Sequence, residues 1–227
     1  MSFQKNKYFS SLLGKRFPND GWIETKLTSE AMKQIKECIK GRSSKSYNEH
    51  LAGNISQSFT MEDKDGLFEE KLLPPLIEMY FKEFGRQVVP TILTRDCPFI
   101  LERLWVNFQK KYEFNPSHTH KGIFSFVIWV TIPTHYKKEH ALKFASHSYK
   151  AQASDFQFIH ISSLGRLEHW SYVLSPKDEG TMLFFPAQLT HQVFPFYTSN
   201  KTRVSVSGNL VLDVSHPHFH LFGIKHN

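Results

Sequence analysis

The chain has 227 residues, 40% of them hydrophobic and 22% charged, with a formal net charge of +7. These proportions suit a folded domain able to bury its own core, and they exclude a disordered or collagen-like chain. Two cysteines, Cys38 and Cys97, are too few for a disulfide framework, and no run approaches the roughly 18 apolar residues of a membrane span.

The N-terminus has no signal-peptide core, so the expected location is cytoplasmic (the host cytoplasm if the chain is viral), without a membrane partner. Lysines and arginines are scattered along the sequence, for example Lys15, Arg16, Lys110, Lys111, Lys137 and Lys138. Read alone, that charge is a solvated surface and does not select nucleic acid.

Residues 1–98 read as an N-terminal helical and irregular extension. Thr28 precedes a segment from Ala31 to Lys40 with Met32, Ile35 and Ile39 at helical spacing, and Gly41 follows as a stop signal. A second segment, Glu69 to Phe84, carries a broad apolar stripe and predicts a helix that starts near Pro74 and Pro75 and ends at Gly85.

From Phe99 the pattern becomes β, and residues 99–227 read as the catalytic core. The spacing predicts strands over 100–108, 123–132, 142–145, 156–161, 169–174, 182–185, 192–196 and 203–212, separated by Gly, Pro and Asn signals. Twenty-one phenylalanines are a payload suited to the space between two sheets. The fold expected is mainly β, a sandwich or barrel, with the N-terminal helices packed on one outer face. The residues from Tyr136 to Ser175 read as an insert lengthening its middle.

His118 and His120 stand at i and i+2, a spacing that puts both side chains on one face of an extended segment. Asn115-Pro116-Ser117 brings that segment in and Gly122 releases it. His191 follows a strand closed by Pro186, so both histidine sites fall at strand ends where metal ligands can converge. Arg203 opens the last strand, and alternation places Arg203, Ser205 and Ser207 on one face. An inward arginine followed by small hydroxyls fits a bound carboxylate. Phe126, Ile128, Phe184 and Phe194 are the residues expected to line the cavity.

The order His-x-His, then Gly-x-x-x-x-Phe-Pro-x-x-x-x-His-x-Val (Gly180 to Val193), then Arg-x-Ser resembles the Fe(II)- and 2-oxoglutarate-dependent dioxygenases. Asn-Pro-x-His-x-His-x-Gly after Trp105-Val106-Asn107, with Leu51-Ala52-Gly53-Asn54-Ile55 upstream, is similar to a phage and bacterial subgroup. The resemblance covers residues 99–212. It implies a double-stranded β-helix (jelly roll), Fe(II) on His118, His120 and His191, and 2-oxoglutarate as co-substrate with O2. It further implies that Arg203 and Ser205 receive the distal carboxylate, with Asn107 as a second contact. The family's second ligand is usually Asp or Glu; here it is His120, so His120 is either a third imidazole ligand or a neighbour of a two-ligand site. Glu113 is a distant carboxylate alternative.

Two other functions remain open on the residues: a three-histidine cupin-like metalloenzyme that does not use 2-oxoglutarate, and a non-catalytic jelly-roll structural or binding protein. The substrate stays open among amino-acid side chains, peptides, small metabolites and nucleic acid. The alternating His216, His218 and His220 near the chain end read as an exposed tail.

Overall fold

The computed structural model describes residues 21–91 and 97–215. The histidine-rich chain end from His216 lies outside the described residues, and so does that expectation about it. Among the described residues, no helix is long and apolar enough to cross a membrane.

Ten strands form two antiparallel sheets. The larger sheet joins β1 (Ile23–Lys26), β2 (Ser58–Thr60), β3 (Phe99–Gln109), β5 (Phe124–Thr131), β8 (Thr181–Pro186) and β10 (Arg203–Leu212) in the order β1-β8-β5-β10-β3-β2. The smaller joins β4 (Asn115–His118), β6 (Phe156–Ile161), β7 (Leu167–Tyr172) and β9 (Thr190–Val193) in the order β4-β9-β6-β7. The architecture is a double-stranded β-helix.

Why β5 reads as continuously apolar follows from its place in the middle of the larger sheet, covered on both faces. Phe124, Phe126, Ile128 and Val130 face the helical layer, while Val127 and Trp129 face the smaller sheet. The helical layer is α1 (Ser29–Lys40) and α2 (Leu73–Phe84), which bury Ile35, Ile39, Ile77 and Tyr80 against that outer face. The Thr28 side chain accepts from Ala31 N at the start of α1, satisfying one of the amide groups a helix start leaves open. Before α2 the chain makes a π-helical turn over Leu67–Leu72, and Gly85 ends α2 at φ 78°.

Phe124 sits at the centre of this layer, with ring centroids 4.6 Å from Phe184 and 4.9 Å from Tyr80. Phe124→Ala is expected to cost about 3–5 kcal/mol in a denaturant titration, because the cavity cannot close between three rigid elements. A loss below about 1 kcal/mol would show that the helices are not anchored there.

Several expectations are corrected. Residues 142–145 are not a strand: Leu142 caps α4 (Lys143–Ser146), behind α3 (Tyr136–His140). The Leu142 carbonyl accepts from both Ala145 N and Ser146 N at 2.8 Å, so a local turn wins where no partner strand exists. The stretch from Tyr136 to Ser175 also carries β6 and β7, half of the smaller sheet, and so belongs to the framework. Finally, β1 and β2 come from the segment expected to be helical or irregular and form both edges of the larger sheet. At four and three residues they are too short to show a period.

Candidate metal centre

Strand pairing brings the first two imidazoles together: His118 on β4 stands opposite His191 on β9. His120 lies just beyond β4, where its amide donates to Ala187 O at 2.8 Å and its carbonyl accepts from Gln188 Nε2 at 3.2 Å. Gly122 then turns the chain into β5 at φ 116°, with no room for a side chain because a Cβ there would lie 2.6 Å from Leu210 O. The three rings stand 4.3 to 5.1 Å apart between centroids. One ligand atom of each lies within 4.8 Å of the other two, so the group could hold one metal ion.

The tautomers are fixed by the backbone. His118 Nδ1 donates to Pro116 O at 2.7 Å and His191 Nδ1 donates to Leu189 O at 2.9 Å. A carbonyl can only accept, so each Nδ1 carries the proton and each Nε2 keeps its lone pair. Such a hydrogen bond from the far ring nitrogen is the usual way a protein orients a metal-binding imidazole.

Burial keeps these rings neutral. His191 is 4% exposed, and desolvation, reinforced by His118 and His120, holds its pKa well below the ordinary value. Desolvation lowers His118, and it pushes His120 down to about 4 with His118 as the second cause. All three are therefore ligands without a proton to displace at pH 7. Glu113 is no rival: its Oε1 accepts from Ser56 N and its Oε2 from Lys110 N, so it ties two loops together.

These shifts set a pH dependence for the metal-free protein. A histidine lowered on folding lets the unfolded chain bind more protons below pH 6.5, so stability is lost as pH falls from 6.5 towards 4. Asp155 acts oppositely, since burial raises it to about 6 and the folded state gains its proton first. Three histidines outweigh one aspartate. The melting temperature of metal-free protein is expected to fall between pH 6.5 and 4, and a flat or rising profile would contradict neutral buried imidazoles.

The cavity beside the histidines has a polar wall from paired strands. Across β3 and β10, Trp105 pairs with Ser207, Asn107 with Ser205 and Gln109 with Arg203. Trp105, Asn107, Gln109, Ser205 and Ser207 line the cavity. Asn107 is held by Ser58 Oγ, which donates to its Oδ1 at 2.8 Å. The apolar wall includes Val127, Phe156 and Phe185. Of the residues expected here, Ile128 and Phe184 lie in the helix-side core and Phe194 is not part of the wall. A shift of one residue along a strand moves a side chain to the opposite face. Phe126 borders the cavity while its ring stacks on Phe68 in the helix-side core.

Arg203 lies behind this wall, not in it. It is 2% exposed; Nη2 donates to Ser154 O at 3.0 Å and to Ser154 Oγ, and Nη1 donates to Gln109 Oε1 at 3.4 Å. The guanidinium also sits over the Phe196 ring at 5.1 Å. Burial lowers its pKa to about 10, against the opposing charges of Glu139 and Asp155, so it remains a cation at pH 7. Arg203 Nε, Trp105 Nε1 and Asn115 Oδ1 are buried with no hydrogen-bond partner among the described residues. Trp105 and Asn115 line the cavity, and unmet buried groups there are what a site keeps for a bound molecule.

Gln109 and Ser154 went unmarked in the sequence, and Trp105 entered only as part of a motif, not as a residue of the site. Alternation along β3 did carry a signal for two of them, because Trp105, Asn107 and Gln109 share a face. Ser154 carried none: it holds a left-handed φ of 73°, fully buried, and reaches Arg203 across 49 residues of sequence.

Residues 103–209 match the family model described as "Putative 2OG-Fe(II) oxygenase". The search of curated proteins returns no match. Among solved structures the chain is similar to a Pseudomonas putida prolyl-4-hydroxylase, at 11% identity over 83% of this chain and 91% of that one, with a TM-score of 0.48. It is also similar to HygX from Streptomyces hygroscopicus with nickel, 2-oxoglutarate and hygromycin B bound, at 9% identity over 86% and 84%, with a TM-score of 0.49. AviO1 from Streptomyces viridochromogenes Tue57 aligns at 12% identity over 89% and 94%, with a TM-score of 0.45.

Proposed function

We propose that this chain, whose residues 103–209 match the 2OG-Fe(II) oxygenase family model, is such an oxygenase, that His118, His120 and His191 bind the iron and that 2-oxoglutarate is received along the polar wall beside them. The observation that carries this is the convergence of three neutral imidazoles, two with their Nδ1 protons committed to backbone carbonyls. The chemistry of the donors fits Fe(II), since imidazole suits first-row divalent metals.

Bound there with 2-oxoglutarate and O2, iron would supply the oxidant for substrate hydroxylation, with 2-oxoglutarate leaving as succinate and CO2. The chain's own residues prepare the place for it. The three imidazoles would hold the metal through their unprotonated nitrogens, with the cavity beside them open to the co-substrate. Arg203 holds a positive charge behind Gln109, and Ser205 and Asn107 offer neutral donors on the cavity side for a carboxylate. Val127, Phe156 and Phe185 add apolar surface to the cavity, which strengthens the polar contacts within.

Calorimetry tests the proposal directly. Protein with Fe(II) is expected to bind 2-oxoglutarate and, with ascorbate and O2, to release succinate slowly without substrate; no binding with iron present would end it. His120→Asp, which installs the carboxylate usual in the family, is expected to retain one iron per chain. Loss of iron from that variant would show that the cavity accepts only an imidazole at this position.

A second reading keeps the metal and drops 2-oxoglutarate, and the observation in its favour is that Arg203 is already engaged by Ser154 and Gln109. Calorimetry separates the two, because a cupin-like centre would bind iron and ignore 2-oxoglutarate. A metal-free protein whose stability does not change on adding Fe(II) would favour a binding protein. A phage-type origin and a cytoplasmic setting belong to the proposal, resting on the Asn115 to Gly122 motif and on the low cysteine count.

A further inference from the structure

Lysines that are scattered in sequence lie on segments that meet in the fold around exposed aromatic rings. Three segments meet: the β3–β4 turn, the α3–α4 segment, and the loop after β9. Tyr112 contacts Tyr197 edge to face at 5.6 Å, and Phe144 contacts the same ring at 4.8 Å. Backbone and side-chain bonds lock the junction, with Tyr112 N donating to Phe196 O at 3.1 Å and the amides of Tyr197 and Thr198 donating to the Glu139 carboxylate.

The charges on these segments are sorted by depth. Glu139 and Asp155 are 0% and 1% exposed, and Glu113 is tied to two backbone amides. The lysines face outward: Lys110 beside Tyr112, Lys137 and Lys138 on α3, Lys143 beside Phe144, and Lys201 beyond Tyr197. Lys111 Nζ lies over the Tyr112 ring at 5.0 Å. Acidic groups are thus consumed inside while the outer face stays cationic.

Two features are unexplained by folding alone. Tyr112 and Phe144 are 62% and 60% exposed, although burying such rings is what normally stabilises a fold. Tyr112 also adopts φ 71°, a left-handed conformation that favours glycine. A bulky ring is therefore held outward, in a strained turn, with little packing in return. Strain of this kind gathers at functional positions.

We propose that the face formed by Tyr112, Phe144 and Tyr197, with its surrounding lysines, binds single-stranded nucleic acid. Exposed rings give bases a surface to stack on, and lysines between them meet phosphates. An unpaired strand is the form that fits, because stacking on the rings needs bases released from a duplex and no long helix is offered to a groove. An anionic membrane surface fits less well: α3 and α4 have five and four residues, too short to lay an amphipathic face into lipid.

The test is fluorescence anisotropy of full-length protein with labelled 15-nucleotide oligo-dT and oligo-U. Binding is expected to weaken with salt at a log–log slope of roughly −2 to −3, for three or four phosphates met. Tyr112→Gly is the informative variant: it removes the ring and relieves the turn, so the melting temperature should rise while affinity falls at least about fivefold. Tyr112→Phe keeps the ring and should bind as the parent does, and Phe144→Ala should weaken binding by a similar factor. No binding at about 50 mM salt would overturn the proposal. So would ring variants that bind unchanged, or duplex DNA or phosphatidylserine vesicles that bind more tightly than the single strand. None of these readouts needs iron or turnover, so they stand apart from the fate of the oxygenase site.

Discussion

His191→Ala is expected to abolish iron binding and, with it, succinate release. The ring is 4% exposed and packed between Phe156 and Phe185, with centroids 5.7 and 5.1 Å away. Among the described residues, no further His, Cys, Asp or Glu joins the group to supply a replacement ligand. Removing a residue that only orients a metal ligand commonly costs 10–100-fold in affinity, so losing one of three ligands should exceed about a hundredfold. Equilibrium dialysis with Fe(II), or Co(II) as a spectroscopic probe, measures this without activity. His118→Ala should behave alike, since its Nδ1 is fixed by Pro116 O in the same manner. His120→Ala then decides between the two readings of its role. A loss as deep as that of His191→Ala makes it a ligand; a loss below about tenfold leaves a two-histidine site. Apo-protein melting curves guard against a trivial outcome, because an unfolded variant would also lose metal.

How much of this site was visible in the sequence depends on how local each signal is. The histidines were legible because their neighbours announce backbone geometry: Pro116 and Gly122 bracket one pair, and Pro186 closes the strand before His191. The i, i+2 argument gave the right outcome by a slightly different route. His118 ends β4, and His120 is set beyond it by hydrogen bonds to Ala187 and Gln188. Alternation on β10 put Ser205 and Ser207 on the cavity wall as expected, whereas Arg203 lies behind it. It could not show that Ser154 and Gln109 would take up two of the guanidinium nitrogens, because those contacts span 49 and 94 residues. The same limit hid the basic face. The segments that carry Lys110, Lys143 and Lys201 come together only through the meeting of Tyr112, Phe144 and Tyr197. Helices α1 and α2 were read from caps and stripes, whereas β1 and β2 depend on pairing with β8 and β3, a tertiary fact with no period of its own.

Arg203→Lys is expected to remove most 2-oxoglutarate binding while leaving iron affinity intact. The substitution keeps the charge and loses the planar fork, so it separates geometry from electrostatics. Charge-assisted hydrogen bonds contribute about 1.5–3 kcal/mol, which corresponds to a loss of roughly 10–150-fold in 2-oxoglutarate affinity. The unpaired Nε is the atom that gives this expectation its structural basis, since a buried guanidinium nitrogen without a partner is costly unless something meets it. Its surroundings set the competing possibility. Glu139 and Asp155 lie close enough to influence the guanidinium, and Ser154 is held in a left-handed conformation to receive it, so Arg203 could serve only to tie α3 and β6 to β10. The two roles diverge in measurement. A binding role predicts weakened 2-oxoglutarate in the folded, iron-loaded protein whatever the change in melting temperature; a purely structural role predicts a lower melting temperature with 2-oxoglutarate affinity preserved in the folded fraction. Ser154→Ala sharpens the comparison, because it loosens the arginine without removing it. If Arg203 holds the co-substrate, that variant should weaken 2-oxoglutarate less than Arg203→Lys does, since the Ser154 carbonyl remains to hold Nη2 in place.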